Sequence, residues 1–149
     1  MKSKNLRKGF DYIGITCVFI CHDGKGNILM HKRSKNCRDE IGCWDAGGGA
    51  LEFGETFEEG VKREIKEEYC SDVINLKFLG PHNIIREHNR EKTHWVALLF
   101  MAQVDPTQVK IGEPKSMDEI GWFSEDNLPT PLHSAFLPFF KIVKSKLKS

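Results

Sequence analysis

The segment GGGALEFGETFEEGVKREIKEEYC, from Gly47 to Cys70, constrains the fold more than any other part of the chain. Thr56 is followed three residues later by Glu59, which is the spacing of a capping box. In such a box, each of the two side chains accepts a hydrogen bond from the backbone N–H of the other residue. We therefore predict a helix that runs from about Phe57 to about Tyr69.

Three glutamates of this predicted helix fall on one side of it. At about 100° per residue, Glu64, Glu67 and Glu68 share one arc, which borders the apolar stripe of the helix. Carboxylates at these spacings repel each other, more strongly where water is partly excluded. A divalent cation such as Mg²⁺ or Mn²⁺ would remove the repulsion, since both prefer oxygen ligands. An acidic surface helix, neutralised by its own basic residues, is the alternative that the helix alone leaves open.

The glycines before the helix add a second part to this pattern. Gly47, Gly48 and Gly49 predict a loop that can bend and approach a ligand closely, followed by a short strand near Ala50 to Glu52. Such a loop offers amide donors to phosphate oxygens, beside carboxylates that could hold a metal bridging those oxygens.

The remaining segments predict a mixed sheet between helices. Two apolar runs, Tyr12 to His22 and Ile28 to Arg33, flank the turn DGKGN and predict a hairpin. Two long strands around a polar turn at His88 to Lys92 follow the central helix, and a short strand, IGWF, comes later. A last helix has Pro138 near its first turn and apolar residues at helical spacing, namely Phe136, Phe139, Phe140, Val143 and Leu147.

Charge and hydropathy exclude several classes of partner. The 149 residues carry a formal net charge of +1, which gives no overall field to attract nucleic acid or an anionic membrane. A signal-peptide pattern and an apolar run of about 20 residues are both absent from the sequence, so we expect no membrane partner and a cytoplasmic location. Residues 1 to about 8 are interpreted as a flexible basic tail.

The five cysteines form an odd set without a CxxC pair, which favours a reducing compartment over a disulfide framework. Cys37 and Cys43 could bind zinc together with His31 or His22. Their spacing matches no common zinc site, so we do not predict one.

The central segment resembles the Nudix box, Gly-x5-Glu-x7-Arg-Glu-U-x-Glu-Glu-x-Gly-U, where U is a bulky aliphatic residue. Cys70 and Ser71 replace its last two residues, and Gly47 replaces a proline that many members have before the paired glycines. Without the glycine, either Cys70 accepts about 1 kcal/mol of left-handed strain or the helix ends differently. The matching positions are Gly49, Glu55, Arg63, Glu64, Ile65, Glu67 and Glu68.

The resemblance covers nearly the whole chain and implies its architecture. The expected fold is an α/β/α sandwich around a mixed β-sheet, formed by a single domain of residues 1–149. The oligomeric state is open, and a homodimer is one arrangement that we consider.

The resemblance also implies an activity, the Mg²⁺-dependent or Mn²⁺-dependent hydrolysis of a nucleoside diphosphate linked to another group. Water would attack a phosphorus of the diphosphate. The implied metal ligands are the backbone carbonyl of Gly48 and the carboxylates of Glu64, Glu67 and Glu68.

The catalytic residues implied by the resemblance are Glu55, Arg63, Glu64 and Glu68. Glu55 and Arg63 would pair with each other and orient the glycine segment against the helix. Glu64 or Glu68 would take the proton of the attacking water, with the loop residues Glu113 and Glu119 as alternatives.

The overall layout resembles the small Nudix enzymes that act on nucleoside triphosphates. Gly49 and Arg33 are candidate substrate contacts, and Phe19 and Phe136 would grip the base, although core packing is the alternative for both. His94 and Trp95 are weaker candidates.

Other substrate classes match the sequence less well. The proline typical of many ADP-ribose hydrolases is absent, and the coenzyme A pyrophosphatase motif matches only in part. A Nudix domain that binds a nucleotide without hydrolysing it is the rival from another class. Such modules usually lose one of the box glutamates, and this chain keeps all of them.

Overall fold

The computed structural model describes residues 5–147, apart from the side chain of His88. In chain order, the elements before the central helix are β1 (Gly14–His22), β2 (Ile28–Arg33), β3 (Trp44–Asp45) and β4 (Gly47–Ala50). The later elements are α1 (Phe57–Tyr69), β5 (Val73–His88), β6 (Glu91–Val104), β7 (Met117–Phe123), a 3₁₀ turn (Glu125–Asn127) and α2 (Phe136–Leu147).

The seven strands form one mixed sheet. Its main path is β3-β2-β1-β6-β5, with β4 paired to β1 and β7 paired to β2. Strands β1 and β6 run parallel, from Gly14 opposite Trp95 to His22 opposite Gln103, whereas the other pairs are antiparallel. The predicted first hairpin is confirmed, and its turn is closed by Asp23 Oδ1, which accepts hydrogen bonds from the backbone N–H groups of Lys25 and Asn27.

One helix covers each face of the sheet, which confirms the α/β/α sandwich. Val61, Ile65 and Tyr69 of α1 pack against alternate residues of β1 and β6, beginning with Cys17 and Phe19. The opposite face packs against Phe136, Phe139, Phe140 and Val143 of α2. Because neighbouring strand residues point to opposite faces, β1 contributes to both cores.

Three strand predictions need correction. The strand predicted near Ala50 to Glu52 lies earlier, at Gly47–Ala50, because the glycines pair directly with β1 from Phe19 to Thr16. The polar turn between β5 and β6 is shorter than predicted, since only Asn89 and Arg90 stand between the strands, both with positive φ as a tight hairpin turn requires. Strand β7 begins before IGWF, at Met117.

Both helix predictions are confirmed. Helix α1 has the predicted bounds and the predicted capping box between Thr56 and Glu59. Pro138 is the third residue of α2, where its missing N–H removes no intrahelical hydrogen bond. Neither helix has the length and apolar character that crossing a bilayer requires, within residues 5–147.

The basic N-terminal segment is only partly described, since residues 1–4 lie outside the described residues. Arg7 Nη2 donates a hydrogen bond to Glu91 Oε2 at 2.8 Å, and the backbone N–H of Arg7 donates to Asp11 Oδ2 at 2.7 Å. Arg7 is therefore attached to the start of β6.

Candidate functional site

The glycines of β4 lie directly beneath the glutamates of α1. A β-carbon on Gly49 would lie 2.2 Å from Cδ of Glu64, and one on Gly47 would lie 2.7 Å from Glu68 Oε2 and 2.1 Å from the ring of Phe19. Only residues without a side chain therefore allow both carboxylates to reach the strand. The glycines provide this close approach as part of the sheet, and not as the loop that we predicted.

Arg63 is surrounded by carboxylates. Its Nε and Nη2 donate to the two oxygens of Glu55 at 2.7 and 2.8 Å, which is the pair implied by the sequence. Its Nη1 donates to Glu64 Oε1 at 2.8 Å and to Glu67 Oε2 at 3.3 Å, and lies 3.6 Å from Glu52 Oε1. We call Arg63 and these four glutamates the Arg63 cluster.

The two-pronged contact with Arg63 determines the charge of Glu55. The hydrogen bonds from Arg63 lower the pKa of Glu55 to about 2, and those to Glu55 raise the pKa of Arg63. Arg63 Nη2 also donates to the backbone carbonyl of Ala50 at 3.2 Å, which joins the helix to the end of β4.

Glu68 has a different environment, although it lies on the same helix. Its side chain is buried, with the residue only 7% exposed, and Oε2 accepts a hydrogen bond from the backbone N–H of Gly48 at 3.2 Å. Burial raises the pKa of Glu68 well above its ordinary value, and the nearby carboxylates of Glu64 and Glu113 raise it further. Within residues 5–147, no lysine, arginine or histidine forms an ion pair with it.

Glu64 is the member of the Arg63 cluster whose charge also acts on Glu68. Its side chain is 12% exposed, and burial raises its pKa despite the opposing hydrogen bond from Arg63. The charge of Glu113 raises the pKa of Glu64 as it raises that of Glu68. Glu113, the alternative general base on a loop, therefore lies near both helix glutamates. Glu67 is more open, with a side chain that is 49% exposed.

The loop that carries Glu113 is attached to the end of α1. The backbone N–H of Lys110 donates to the carbonyl of Tyr69 at 3.0 Å, and that of Gly112 donates to the carbonyl of Glu68 at 2.8 Å. A β-carbon on Gly112 would lie 1.9 Å from the carbonyl oxygen of Glu67. The loop therefore satisfies carbonyls that a helix end leaves free, and Gly112 is required for its approach.

The carboxylate oxygens of Glu64, Glu67 and Glu68 suit a hard divalent cation, because this set contains no sulfur or nitrogen ligand. A buried carboxylate without a cationic partner is costly, and a metal ion would compensate it. The carboxylates of Glu64, Glu67 and Glu68 are nevertheless not gathered within 4.8 Å of one another in the part of the chain that the structure describes. Arg63 Nη1 takes one oxygen of Glu64 and one of Glu67, which leaves the second oxygen of each for a ligand.

A cavity of about 180 Å³ opens on the other side of β4, toward α2. Four predicted site residues line it, namely Arg33, Gly48, Glu68 and Phe136. Phe19 is not among the residues that line the cavity. Its side chain is fully buried on the α1 face and meets Tyr69 edge to face, which is the core packing given above as the alternative to a base contact.

A family model described as the NUDIX domain matches residues 13–141. The chain belongs to the Nudix family. Two solved structures described as MutT proteins, the first also as a Nudix hydrolase, share its fold. One, from Burkholderia pseudomallei, is 31% identical, with a TM-score of 0.77 over 89% of this chain and 98% of that one. The other, from Methanosarcina mazei, is 28% identical, with a TM-score of 0.71 over 92% and 96%.

Curated Nudix relatives are longer than this chain. It is 29% identical to the human protein 8-oxo-dGDP phosphatase NUDT18 over 138 residues, which is 87% of this chain and 37% of the relative. It is 30% identical to the NAD-capped RNA hydrolase NudC of Citrobacter koseri over 115 residues, or 76% and 40%. The chain thus spans about two fifths of the length of these relatives.

The structure explains two departures from the Nudix box. Cys70 adopts the left-handed conformation itself, with φ of 60°, and its N–H donates to the carbonyl of Lys66. The helix therefore ends as the usual glycine would end it, with strain at Cys70. Gly47 stands where many Nudix members have a proline. A β-carbon at this position would overlap the ring of Phe19, so only glycine fits.

The weaker candidates do not join the Nudix site. Trp95 packs against Gly9 and Gly14, at the far end of β1, and His94 Nε2 bonds with Asn83 Oδ1. Glu119 lies on β7 opposite Lys32.

In the part of the chain that the structure describes, one group of three possible metal ligands has its ligand atoms within 4.8 Å of one another. It consists of Asp39, Glu40 and His133. It contains no cysteine, and sequence analysis missed it because Asp39 and His133 are 94 positions apart. These residues already have partners, since Asp39 binds Arg33 and Glu40 binds His133 and Ser134.

Proposed function

We propose that this chain hydrolyses a nucleoside diphosphate linked to another group, by attack of water on phosphorus, with Mg²⁺ or Mn²⁺ as cofactor. The observation that carries the proposal is Glu68, a buried carboxylate beside Glu64 and Glu113 that has no cationic partner within residues 5–147. A buried carboxylate without a cationic partner destabilises the folded state, and a bound cation would compensate that cost. Membership of the Nudix family supports this interpretation.

In this proposal, the carboxylates of Glu64, Glu67 and Glu68 and the carbonyl of Gly48 hold the cation. The cation would neutralise phosphate charge and lower the pKa of a bound water. Arg63 keeps Glu64 and Glu67 in place through Nη1, and Glu55 holds Arg63 from the opposite side.

Glu64 is our candidate for the general base. Burial raises its pKa toward the working pH, which improves proton acceptance by a carboxylate. Glu113 is the alternative, because its loop is attached to the end of α1 and brings it near Glu64 and Glu68.

The substrate class is proposed from the site and the relatives together. The human relative is named as an 8-oxo-dGDP phosphatase and the bacterial one as an NAD-capped RNA hydrolase, and both names describe a substrate that contains a nucleotide. Arg33 and Phe136, which line the cavity, would contact a nucleoside triphosphate or related nucleotide, with Gly49 near the phosphates.

The test is colorimetric detection of phosphate or pyrophosphate released from a nucleotide panel with Mg²⁺. We expect Glu68→Gln and Glu67→Gln to lower turnover, and Glu58→Gln, on the exposed first turn of the same helix, to leave it unchanged. Unchanged turnover in Glu68→Gln would refute the site. A nucleotide that raises Tm without being hydrolysed would favour the binding module instead.

Location and assembly are also proposals. The cysteines of the described chain are all unpaired, which supports a reducing compartment such as the cytoplasm. The homodimer considered from the sequence stays a prediction, which sedimentation would measure.

A further inference from the structure

Two side chains in the last turn of α1 form hydrogen bonds to the sheet within residues 5–147. Glu68 Oε2 accepts from the backbone N–H of Gly48 on β4 at 3.2 Å. The hydroxyl of Tyr69, the last residue of the helix, lies 2.7 Å from Nδ1 of His31 on β2. The proposed mechanism uses the first of these bonds and leaves the second without a role.

The two bonds reach different strands. Strand β2 pairs with β1 at His22 and β4 pairs with it from Phe19 to Thr16, whereas β6 occupies the other edge of β1. Among the described residues, β2 and β4 do not pair with each other. The last turn of α1 is therefore bonded to two separate strands along one edge of β1.

The bond between Tyr69 and His31 is buried and has one direction. Tyr69 is 1% exposed and His31 6%, and burial lowers the pKa of His31 to about 4, so its ring is neutral near neutral pH. Within residues 5–147, His31 Nδ1 is the hydrogen-bond partner of the Tyr69 hydroxyl. Since a buried hydroxyl without an acceptor is destabilising, the hydroxyl donates to Nδ1.

The helix end needs such an attachment. Ionised Glu68 would be more stable in water than in its buried place beside Glu64 and Glu113. The residue after Tyr69 is Cys70, which has the strained φ of 60°. Both features favour movement of the last turn away from the sheet, and the bond from Tyr69 to His31 opposes that movement.

Tyr69 can act on Glu68 by two routes. The first is the helix backbone, because the two residues are neighbours. The second is the ring of Phe19, which Tyr69 meets edge to face with the ring centroids 6.3 Å apart. A β-carbon on Gly47 would lie 2.1 Å from this ring and 2.7 Å from Glu68 Oε2. Because protein interiors are close-packed, a shift of the Tyr69 ring is transmitted to the place that Glu68 occupies.

We propose that Tyr69 and His31 are positioning residues of the metal site. Their hydrogen bond holds the last turn of α1 against β2 and thereby keeps the carboxylate of Glu68 where it binds the cation. Tyr69 stands at a position that the Nudix box leaves undefined, so the family pattern assigns it no role. The inference rests on the proposed function for the cation itself.

The experiment measures Kd for Mn²⁺ by calorimetry in the wild type, Tyr69→Phe, His31→Leu and His31→Asn. We expect Kd to rise about tenfold in Tyr69→Phe and His31→Leu, the lower end of what loss of an outer-shell partner costs, since Tyr69 does not bond the carboxylate itself. His31→Asn should bind Mn²⁺ more tightly than His31→Leu, because Oδ1 of asparagine is an acceptor as many bonds from the backbone as Nδ1 of histidine. The double variant Tyr69→Phe/His31→Leu should be no weaker than the weaker single variant.

Ser71→Ala is the matched control, because it removes another buried hydroxyl at the same helix end, one that bonds to the carbonyl of Asp72 and not to β2. Urea denaturation without metal should show lower stability in Ser71→Ala and in Tyr69→Phe, whereas Mn²⁺ binding should weaken in Tyr69→Phe alone. A purely structural bond would lower stability without changing Kd.

The same titrations separate this inference from the proposed function. If the wild type binds Mn²⁺, Glu68→Gln does not, and Tyr69→Phe and His31→Leu keep the wild-type Kd, the metal site stands and the positioning role is wrong. Equal weakening in His31→Asn and His31→Leu would also overturn the role, because the acceptor would then be irrelevant. A wild type that does not bind Mn²⁺ would overturn the metal site and the positioning role together.

Discussion

Both halves of helix α1 are acidic, with Glu58 and Glu59 in the first and Glu64, Glu67 and Glu68 in the second, but the electrostatic environments of the two ends differ. In the first half, the capping box bonds Thr56 with Glu59, and Arg63 compensates Glu55 through two hydrogen bonds. In the second half, Glu68 is buried against the backbone of Gly48, and Cys70 takes a left-handed conformation. The hydrogen bonds that the first half needs come from residues next to it in sequence. The second half depends on the distant loop that carries Glu113 and, in our proposal, on a bound cation. The glutamates of one helix can thus serve structure and chemistry separately.

The largest expected effect comes from removing the residue that joins the two halves. In Arg63→Gln, Glu55, Glu64 and Glu67 lose their shared partner, so the carboxylates are no longer positioned. Loss of such a supporting contact typically costs 10–100-fold in metal affinity or activity, and we expect turnover to fall within that range. Nucleotide hydrolysis with Mg²⁺ measures it, with Lys62→Gln on the exposed face as the control. Full activity in Arg63→Gln would mean that the cluster serves stability alone.

The support of the second half by the loop can be tested at Gly112. A β-carbon there would lie 1.9 Å from the carbonyl of Glu67, so Gly112→Ala must displace either the loop or the helix end. We expect the free energy of unfolding to fall by about 1–3 kcal/mol, as overpacking usually costs. Urea denaturation measures the change. Lys110→Ala keeps the backbone hydrogen bond to Tyr69 and should change little, and an equally small change in Gly112→Ala would show that the loop is not essential to the helix end.

The strained end of the helix predicts a stabilising substitution. Cys70 has φ of 60°, which a glycine adopts at lower cost. Cys70→Gly should therefore raise the free energy of unfolding by about 1 kcal/mol, while Cys70→Ala keeps the β-carbon and the strain. Equal stabilities of the two variants would show that the strain is negligible.

The smallest expected effect is a loss of folding stability at acid pH, caused by protonation of Glu55 just before the helix. Because Arg63 lowers the pKa of Glu55 to about 2 from its ordinary 4.5, ionised Glu55 stabilises the folded state above about pH 4.5. That contribution should disappear as the pH falls from about 4.5 through about 2. The difference in unfolding free energy between the wild type and Glu55→Gln measures it, and a difference independent of pH in that window would contradict the pairing.

Local patterns predicted the first half of α1 well. The capping box and the bounds of the helix depend on residues within about two turns of each other, where spacing alone brings the groups together. The Glu55–Arg63 pair was instead implied by the resemblance to the Nudix box, and the structure contains it. The order of apolar patterns also predicted a mixed sheet between helices, and the resemblance to the Nudix family implied the sandwich.

The second half could not be predicted in the same way. The contact between Gly112 and Glu68 joins residues far apart in sequence, and a glycine in a loop gives no sign of the carbonyl that it approaches. Glycines in series predict flexibility, yet Gly47 to Gly49 form a strand because β1 supplies their hydrogen bonds. Phe19 was left open between a base contact and core packing, since alternation along β1 gives two faces without saying what each one meets; the structure packs it against α1.

The most direct test of a cation site at Glu68 is the effect of Mn²⁺ on the unfolding free energies of the wild type and Glu68→Gln. Without metal, we expect Glu68→Gln to be the more stable of the two, because the amide removes a buried charge that lies near Glu64 and Glu113. With free Mn²⁺ at 100 times Kd, the wild type should gain about 2.7 kcal/mol, and Glu68→Gln should gain much less. The same gain in both proteins would contradict the site.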